Sequence, residues 1–216
     1  MAERVAAVRA RIAEAGGADR VRLVAVTKGF GPEVVAAAVA AGVDDVAESY
    51  AQELLAKAAV VDVPRWHFVG RLQANKVRAL APTVALWQSV DRPRLVDEVA
   101  RRAPGASVLV QVDVTGEPSK GGCPPAEAPA LVERAAAAGL EPTGLMAVGP
   151  LGPPEAARPG FRALAALADR LGLAERSMGM SADLEVAVQE GATMVRVGTA
   201  LFGPRPPRAG APNMGH

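Results

Sequence analysis

Short apolar runs and longer amphipathic stretches alternate along the chain from about residue 22 to about residue 202. The short runs are rich in Val and are bounded by Gly, Pro or charged positions, which predicts strands. They cover residues 22–27, 45–47, 66–69, 84–87, 107–114, 143–148, 176–178 and 194–197. Between them, apolar residues recur at helical spacing over about 32–41, 50–60, 73–80, 92–103, 124–138, 154–171 and 182–190. A further amphipathic helix opens the chain at about 2–16, and the last strand leads into a helical turn near Thr199.

The turn residues agree with this division. Gly42, Gly139, Gly172 and Gly191 each follow a helical pattern, where a left-handed C-terminal cap is expected, and Pro32, Pro93, Pro125 and Pro154 stand near helix starts. Strict β/α alternation implies a parallel sheet. Eight such units in about 200 residues predict an α/β fold, a single closed (β/α)8 TIM-type barrel with an extra N-terminal helix. A doubly wound open sheet is the structural alternative. No linker or composition break divides the chain, so residues 1–203 read as one domain and 204–216, rich in Pro and Gly, as a disordered tail. In a barrel, function belongs at the C-terminal ends of the strands.

Composition narrows the partners. The 216 residues are 50% hydrophobic and 22% charged, an ordinary globular balance, and a net charge of +1 supplies no broad attraction for nucleic acid or an acidic membrane surface. No run approaches the ~18 consecutive apolar residues of a membrane span. The charged N-terminal helix is unlike a signal peptide, so a cytoplasmic protein with a small-molecule partner is expected. Cys123 is the single cysteine, which excludes an internal disulfide and a multi-cysteine metal site, and His67 and His216 are too few for a conventional zinc centre. Of the 24 basic residues only Lys28, Lys57, Lys76 and Lys120 are lysines. A lysine kept in an Arg-rich chain draws notice because it can lose its proton and act as an amine nucleophile.

Lys28 ends the first strand, at the barrel mouth, where partial desolvation favours the neutral amine and hence a Schiff base with an aldehyde; a lysine that merely exits into solvent is the plainer reading. Ser177-Met178-Gly179-Met180-Ser181-Ala182-Asp183 and Arg196-Val197-Gly198-Thr199-Ala200 each leave a strand, pass Gly or Ser and open a helix. Their backbone N–H groups and the Ser181 and Thr199 hydroxyls would converge on one anion, at the position where barrels hold phosphate. A plain N-cap is the simpler role for Ser181. Arg196, between Val195 and Val197, is an inward charge that serves either as a buried ion-pair partner or as a donor to a phosphate or ring nitrogen. Ser49 and Gln52 or Glu53 suit a capping arrangement at the helix after the second strand. His67, beside aromatic residues, reads as a core histidine, Lys76 as solvated and Ser119-Lys120-Gly121-Gly122 as a flexible loop. Cys123 reads as an incidental loop thiol.

Taken together, Val24-Ala25-Val26-Thr27-Lys28, the Glu48–Glu53 stretch, Trp66–Lys76, Ser119–Gly122, Gly144–Ala147, Ser177–Asp183 and Arg196–Gly203 resemble, in content and order, the pyridoxal phosphate homeostasis proteins, which have the fold of the alanine racemase N-terminal domain. The resemblance spans about Val21 to Gly203. It implies pyridoxal 5'-phosphate held as a Schiff base on Lys28, with Ser181, Gly198 and Thr199 on the phosphate and Arg196 facing the pyridine or phosphate. Met180 and Ser49 complete the implied cofactor site, Ser49 standing where the family usually has Asn. It implies a binding protein for cofactor homeostasis without assigned turnover, with PLP-dependent enzymes as candidate clients, and a barrel this small with its own N-terminal helix is expected to be a monomer. Two alternatives remain beside it: a single-domain PLP-dependent racemase, and a phosphosugar-binding barrel in which Lys28 is a clamp or an aldolase-type amine. A two-base racemase needs a second proton carrier, and the only tyrosine, Tyr50, is differently placed from the one that alanine racemases take from a second domain.

Overall fold

The computed structural model describes residues 1–63, 65–117 and 119–205. Eight parallel strands close into a barrel in sequence order: β1 (Arg22–Val26), β2 (Asp45–Glu48), β3 (Arg65–Phe68), β4 (Val84–Val90), β5 (Ser107–Gln111), β6 (Glu141–Met146), β7 (Glu175–Ser177) and β8 (Met194–Val197). The register of β1 against β8, Leu23 opposite Val195 and Ala25 opposite Val197, closes the ring. Helices α1 (Ala2–Glu14), α2 (Pro32–Ala40), α3 (Ala51–Ala58), α4 (Ala74–Leu80), α5 (Pro93–Arg102), α6 (Ala128–Ala137), α7 (Arg158–Arg170), α8 (Leu184–Gln189) and α9 (Thr199–Phe202) surround it. The TIM-type barrel with an extra N-terminal helix is thus the fold.

Period-two alternation divides each strand between two apolar environments. Outward residues such as Ala25, Val46, Phe68, Trp87, Val110, Leu145 and Val195 join the helices in the larger core. Inward Val24, Ala47, Leu86, Leu109, Met146 and Met194 fill the barrel centre, with Val26, Val69 and Val148 packed on them. The helices present matching stripes: Val5, Val8 and Ile12 on α1, Leu95, Val96 and Val99 on α5, Phe161, Leu164 and Leu167 on α7. Pro32 and Pro93 open α2 and α5, whose first N–H has no acceptor in any helix.

The structure adjusts several boundaries. The fourth strand continues to Val90, because Gln88 and Ser89, polar in sequence, are buried. The fifth stops at Gln111, and Val112 instead makes an isolated bridge to Cys123. Pro154 opens a 3-10 turn ahead of α7, and α6 starts at Ala128, three residues beyond Pro125. Gly203 and Arg205 line the cavity at the C-terminal ends of the strands, and residues 206–216 of the expected tail lie outside the described residues. Among the described residues no helix is long and apolar enough to cross a membrane, and no cluster of His, Cys, Asp and Glu has the geometry to hold a metal ion.

Candidate functional site

The C-terminal ends of the strands enclose a cavity of about 320 Å3, in the range of small-ligand sites. Lys28, Ser49, Met180, Ser181, Arg196, Gly198 and Thr199 all line it. Val26, Val69 and Val148 form an apolar floor on the barrel core.

One wall is built from two strand-to-helix turns. After β7 the backbone reverses at Gly179, whose φ of +92° disfavours any side chain and where a Cβ would lie 2.5 Å from the Ala187 Cβ. The Met180 N–H donates to Asp183 Oδ1 at 2.6 Å, fixing the turn. Ser181 is not the N-cap of α8, a position taken by Asp183; its Oγ accepts from the Ala200 N–H at 3.1 Å and so ties this turn to the one after β8. The N–H groups of Ser181, Ala182, Gly198 and Thr199 have no acceptor among the described residues, which leaves converging donors of the kind an anion satisfies. Helix α1 braces both turns from outside: Arg11 donates to the Ser181 carbonyl at 3.0 Å and to Glu185, and Arg4 to the Leu201 carbonyl at 3.1 Å.

Three cations, Lys28, Arg196 and Arg205, face the cavity. Burial pulls the Lys28 ammonium below its ordinary lysine value, the Arg205 and Arg196 charges lower it further, and Glu48 opposes them. Arg196 is buried, and desolvation brings it down to about 10, with Asp183 opposing. Its Nη1 donates to Ser177 Oγ and its Nη2 to the Ala147 carbonyl, both at 2.7 Å. Among the described residues it is a cation held by neutral acceptors rather than a member of a salt bridge.

Behind Lys28 lies a buried ionic cluster that sequence reasoning missed. Lys57 on α3 donates to Glu48 and, at 2.8 Å, to the Thr27 carbonyl; Thr27 Oγ1 donates to Glu48 Oε1 at 2.7 Å. Burial pushes the Glu48 carboxyl up against the opposing pull of Lys57 and Thr27. Glu53, expected in a cap, accepts instead from the Gly29 N–H at 2.7 Å, and Tyr50 rather than Ser49 takes the N-cap position. The only early signal was the i,i+4 spacing of Glu53 and Lys57. Ser49 reaches the cavity because Gly70 allows close passage: a Cβ there would sit 1.9 Å from the Ser49 carbonyl oxygen.

Phe30 and Arg205 also line the site without having been singled out. Phe30 packs on Phe202 with ring centroids 5.4 Å apart. Arg205 stands in the stretch read as tail, where composition gave no cue. Lys76 and the Ser119–Gly122 loop lie away from this cavity, and Lys120 donates to the Gly149 carbonyl at 2.6 Å and to Glu117. Cys123, read as an incidental loop thiol, is buried, and burial pushes it up to about 12. His67 is a core histidine, as expected.

The chain matches the family described as alanine racemase, N-terminal domain, over residues 1–206. It is 43% identical to a pyridoxal phosphate homeostasis protein of Pseudomonas aeruginosa, over 95% of this chain and 96% of that one. The chain belongs to the pyridoxal phosphate homeostasis protein family. A human member is 37% identical, the match covering 85% of this chain and 76% of the relative. Among solved structures, PipY of Synechococcus elongatus with PLP bound superposes with a TM-score of 0.81 at 32% identity, covering 94% of this chain and 99% of that one. An alanine racemase of Clostridium difficile shares the fold, with a TM-score of 0.72 at 14% identity over 92% of this chain and 56% of that one.

Proposed function

We propose that this protein binds pyridoxal 5'-phosphate covalently, as a Schiff base with the Lys28 amine, and serves in cofactor homeostasis without catalytic turnover of its own. The observation that carries the reading is the single cavity in which a lysine with a lowered pKa faces a wall of unpaired backbone N–H groups. The fit is one of size, charge and donor set: an amine for an aldehyde, N–H and hydroxyl donors for a dianionic phosphate, an apolar floor for a ring. The PLP-bound relative with the same barrel supports it.

The cofactor supplies, when bound, an electrophilic aldehyde and an electron-withdrawing ring. Lys28 supplies the nucleophile, and the Arg205 and Arg196 charges keep more of its amine neutral than an ordinary lysine would have. Ser181, Thr199 and the N–H groups at Ala182, Gly198 and Thr199 would take the phosphate, and Met180 and Ser49 would border the ring. Arg196 stays charged near neutral pH, and a cation beside a ring nitrogen disfavours protonation there. That weakens the ring as an electron sink, which argues against a transaminase and leaves racemisation to the test below. The reading carries with it a cytoplasmic location, a monomer and PLP-dependent enzymes as recipients.

Titration of the purified protein with pyridoxal phosphate tests it. A visible band that borohydride fixes to the protein, absent in Lys28→Ala, is expected; a protein that stays colourless would overturn the reading in favour of a phosphosugar barrel. Incubation with a panel of chiral amino acids separates carrier from racemase: Lys28-dependent loss of optical activity well above that with free cofactor would make it an enzyme.

A further inference from the structure

A line of hydrogen bonds crosses the barrel interior from the cavity toward its opposite end. Arg196 Nη1 donates to Ser177 Oγ at 2.7 Å, Ser177 Oγ to Gln88 Oε1 at 2.7 Å, and Gln88 Nε2 lies 2.7 Å from His67 Nδ1. His67 Nε2 is 3.0 Å from Asp45 Oδ1, and Arg65 grips the same carboxylate with Nε at 2.8 Å and Nη2 at 2.7 Å. Ser177, Gln88, His67, Asp45 and Arg196 are all buried. They come from β7, β4, β3, β2 and β8, so the line stitches five strands together across the core. Asp45 and Arg65 begin their strands, whereas Ser177 ends β7 and Arg196 stands near the end of β8. Neither Gln88 nor His67 lines the cavity.

Around a neutral imidazole at His67, the two ends dictate the direction of every link. A guanidinium can only donate, and an ionised carboxylate can only accept. Arg196 therefore donates to Ser177, whose hydroxyl must pass its own hydrogen to Gln88. The Gln88 amide must then present oxygen to Ser177 and nitrogen to His67. His67 must accept at Nδ1 and donate from Nε2 to Asp45. Turning any member round would set two donors or two acceptors face to face in a dry interior, where an unmade hydrogen bond is costly. The contact of Gln88 Nε2 with Met194 Sδ at 3.3 Å agrees with this amide orientation.

We infer that His67 and Gln88 are positioning residues for Arg196, holding its guanidinium in one orientation at the cofactor site through Ser177. The inference deepens the function proposed above and rests on it for its ligand. With Nη1 committed to Ser177 and Nη2 to the Ala147 carbonyl, the guanidinium plane is set, and its remaining N–H groups are the ones available to the cavity. Loss of the acceptor at His67 Nδ1 releases the Gln88 amide to rotate, and Ser177 then has no unique acceptor for its hydrogen. Arg196 would keep its charge and lose its orientation.

Nitrogen NMR of the ligand-free protein, followed by pyridoxal phosphate titration, tests this on wild type, H67F and H67Q. Only His67 and His216 contribute imidazole signals, which makes assignment direct. The Nε2–H tautomer at His67 and separately resolved, slowly exchanging Nη signals for Arg196 are expected in wild type. H67F should merge the Arg196 signals and weaken pyridoxal phosphate binding by about three- to tenfold, the range for one lost hydrogen bond. H67Q, which can accept from Gln88 and donate to Asp45, should restore both to within about twofold. If H67F does not fold, Q88M, which cuts the line at similar volume, carries the same expectation. An Nδ1–H tautomer, or a folded H67F or Q88M with unchanged Arg196 signals and affinity, would overturn the inference. Wild type that gives the expected NMR yet takes up no pyridoxal phosphate would contradict the proposed function and leave the positioning of Arg196 standing.

Discussion

The Lys57 ammonium donates to the Thr27 carbonyl at 2.8 Å, so a buried cation on α3 holds the residue directly before Lys28. The same ammonium neutralises Glu48, which also accepts from the Ser49 N–H at 3.1 Å. One buried ion pair thus fixes the ends of both β1 and β2 at the mouth of the cavity.

Breaking that pair should cost more than deleting it. Lys57→Met leaves the buried Glu48 carboxyl without its counter-charge, held only by Thr27 and Ser49, and a loss of about 3 to 5 kcal/mol in urea unfolding is expected. The Glu48→Gln/Lys57→Met double variant removes the stranded charge and should lose less than Lys57→Met alone. Additive losses would show that the two residues act independently.

Ser181→Ala removes a hydroxyl facing the cavity and the acceptor of the Ala200 N–H. Affinity for pyridoxal phosphate should fall about tenfold, as expected for a hydrogen bond to a charged group, while affinity for pyridoxal, which lacks the phosphate, should barely change. An equal loss for both compounds would place Ser181 away from the phosphate.

Much of the barrel could be read from alternation alone, since β8 and the starts of α2 and α5 follow directly from apolar spacing and from Pro32 and Pro93. The short reading of β4 has a physical cause. Period-two patterning marks a strand when one environment is apolar and the other polar, but this barrel carries a polar line through its own core, so Gln88 looked like the end of β4. At the site, residue types pointed to Lys28, Ser181, Gly198 and Thr199. The partners could not be read, because Ser181 to Ala200, Glu53 to Gly29 and Lys57 to Thr27 are tertiary contacts between neighbouring β/α units.

The Lys28 titration should respond to Arg205. Desolvation lowers Lys28 first, and the Arg205 charge lowers it further. Arg205→Met removes a like charge, so the Lys28 pKa rises and less neutral amine is present at neutral pH. The pH at which borohydride-fixable adduct reaches half its maximum should shift upward, and added salt should produce part of the same shift in wild type by screening an exposed charge. No difference between the two proteins would remove Arg205 from the account.

Asp45 should make folding sensitive to acid. Burial alone would raise its carboxyl, but hydrogen bonds from Arg65 and His67, with the Arg65 charge, hold it far below the usual carboxylate range. A depressed folded-state value means stability that is full above the unfolded value, about 4, and is lost as pH falls from there toward the folded value. The stability gap between wild type and Asp45→Asn should therefore be wide at about pH 7 and narrower at about pH 3. A gap independent of pH would show that shape rather than charge is at work.

The account turns on Lys28, and the chain's scarcity of lysine makes a direct measurement simple. After incubation with pyridoxal phosphate and reduction with borohydride, peptide mapping by mass spectrometry should find one pyridoxyl group per chain, on Lys28, with Lys57, Lys76 and Lys120 unmodified. Label spread over the other lysines, or none at all at stoichiometric cofactor, would contradict it.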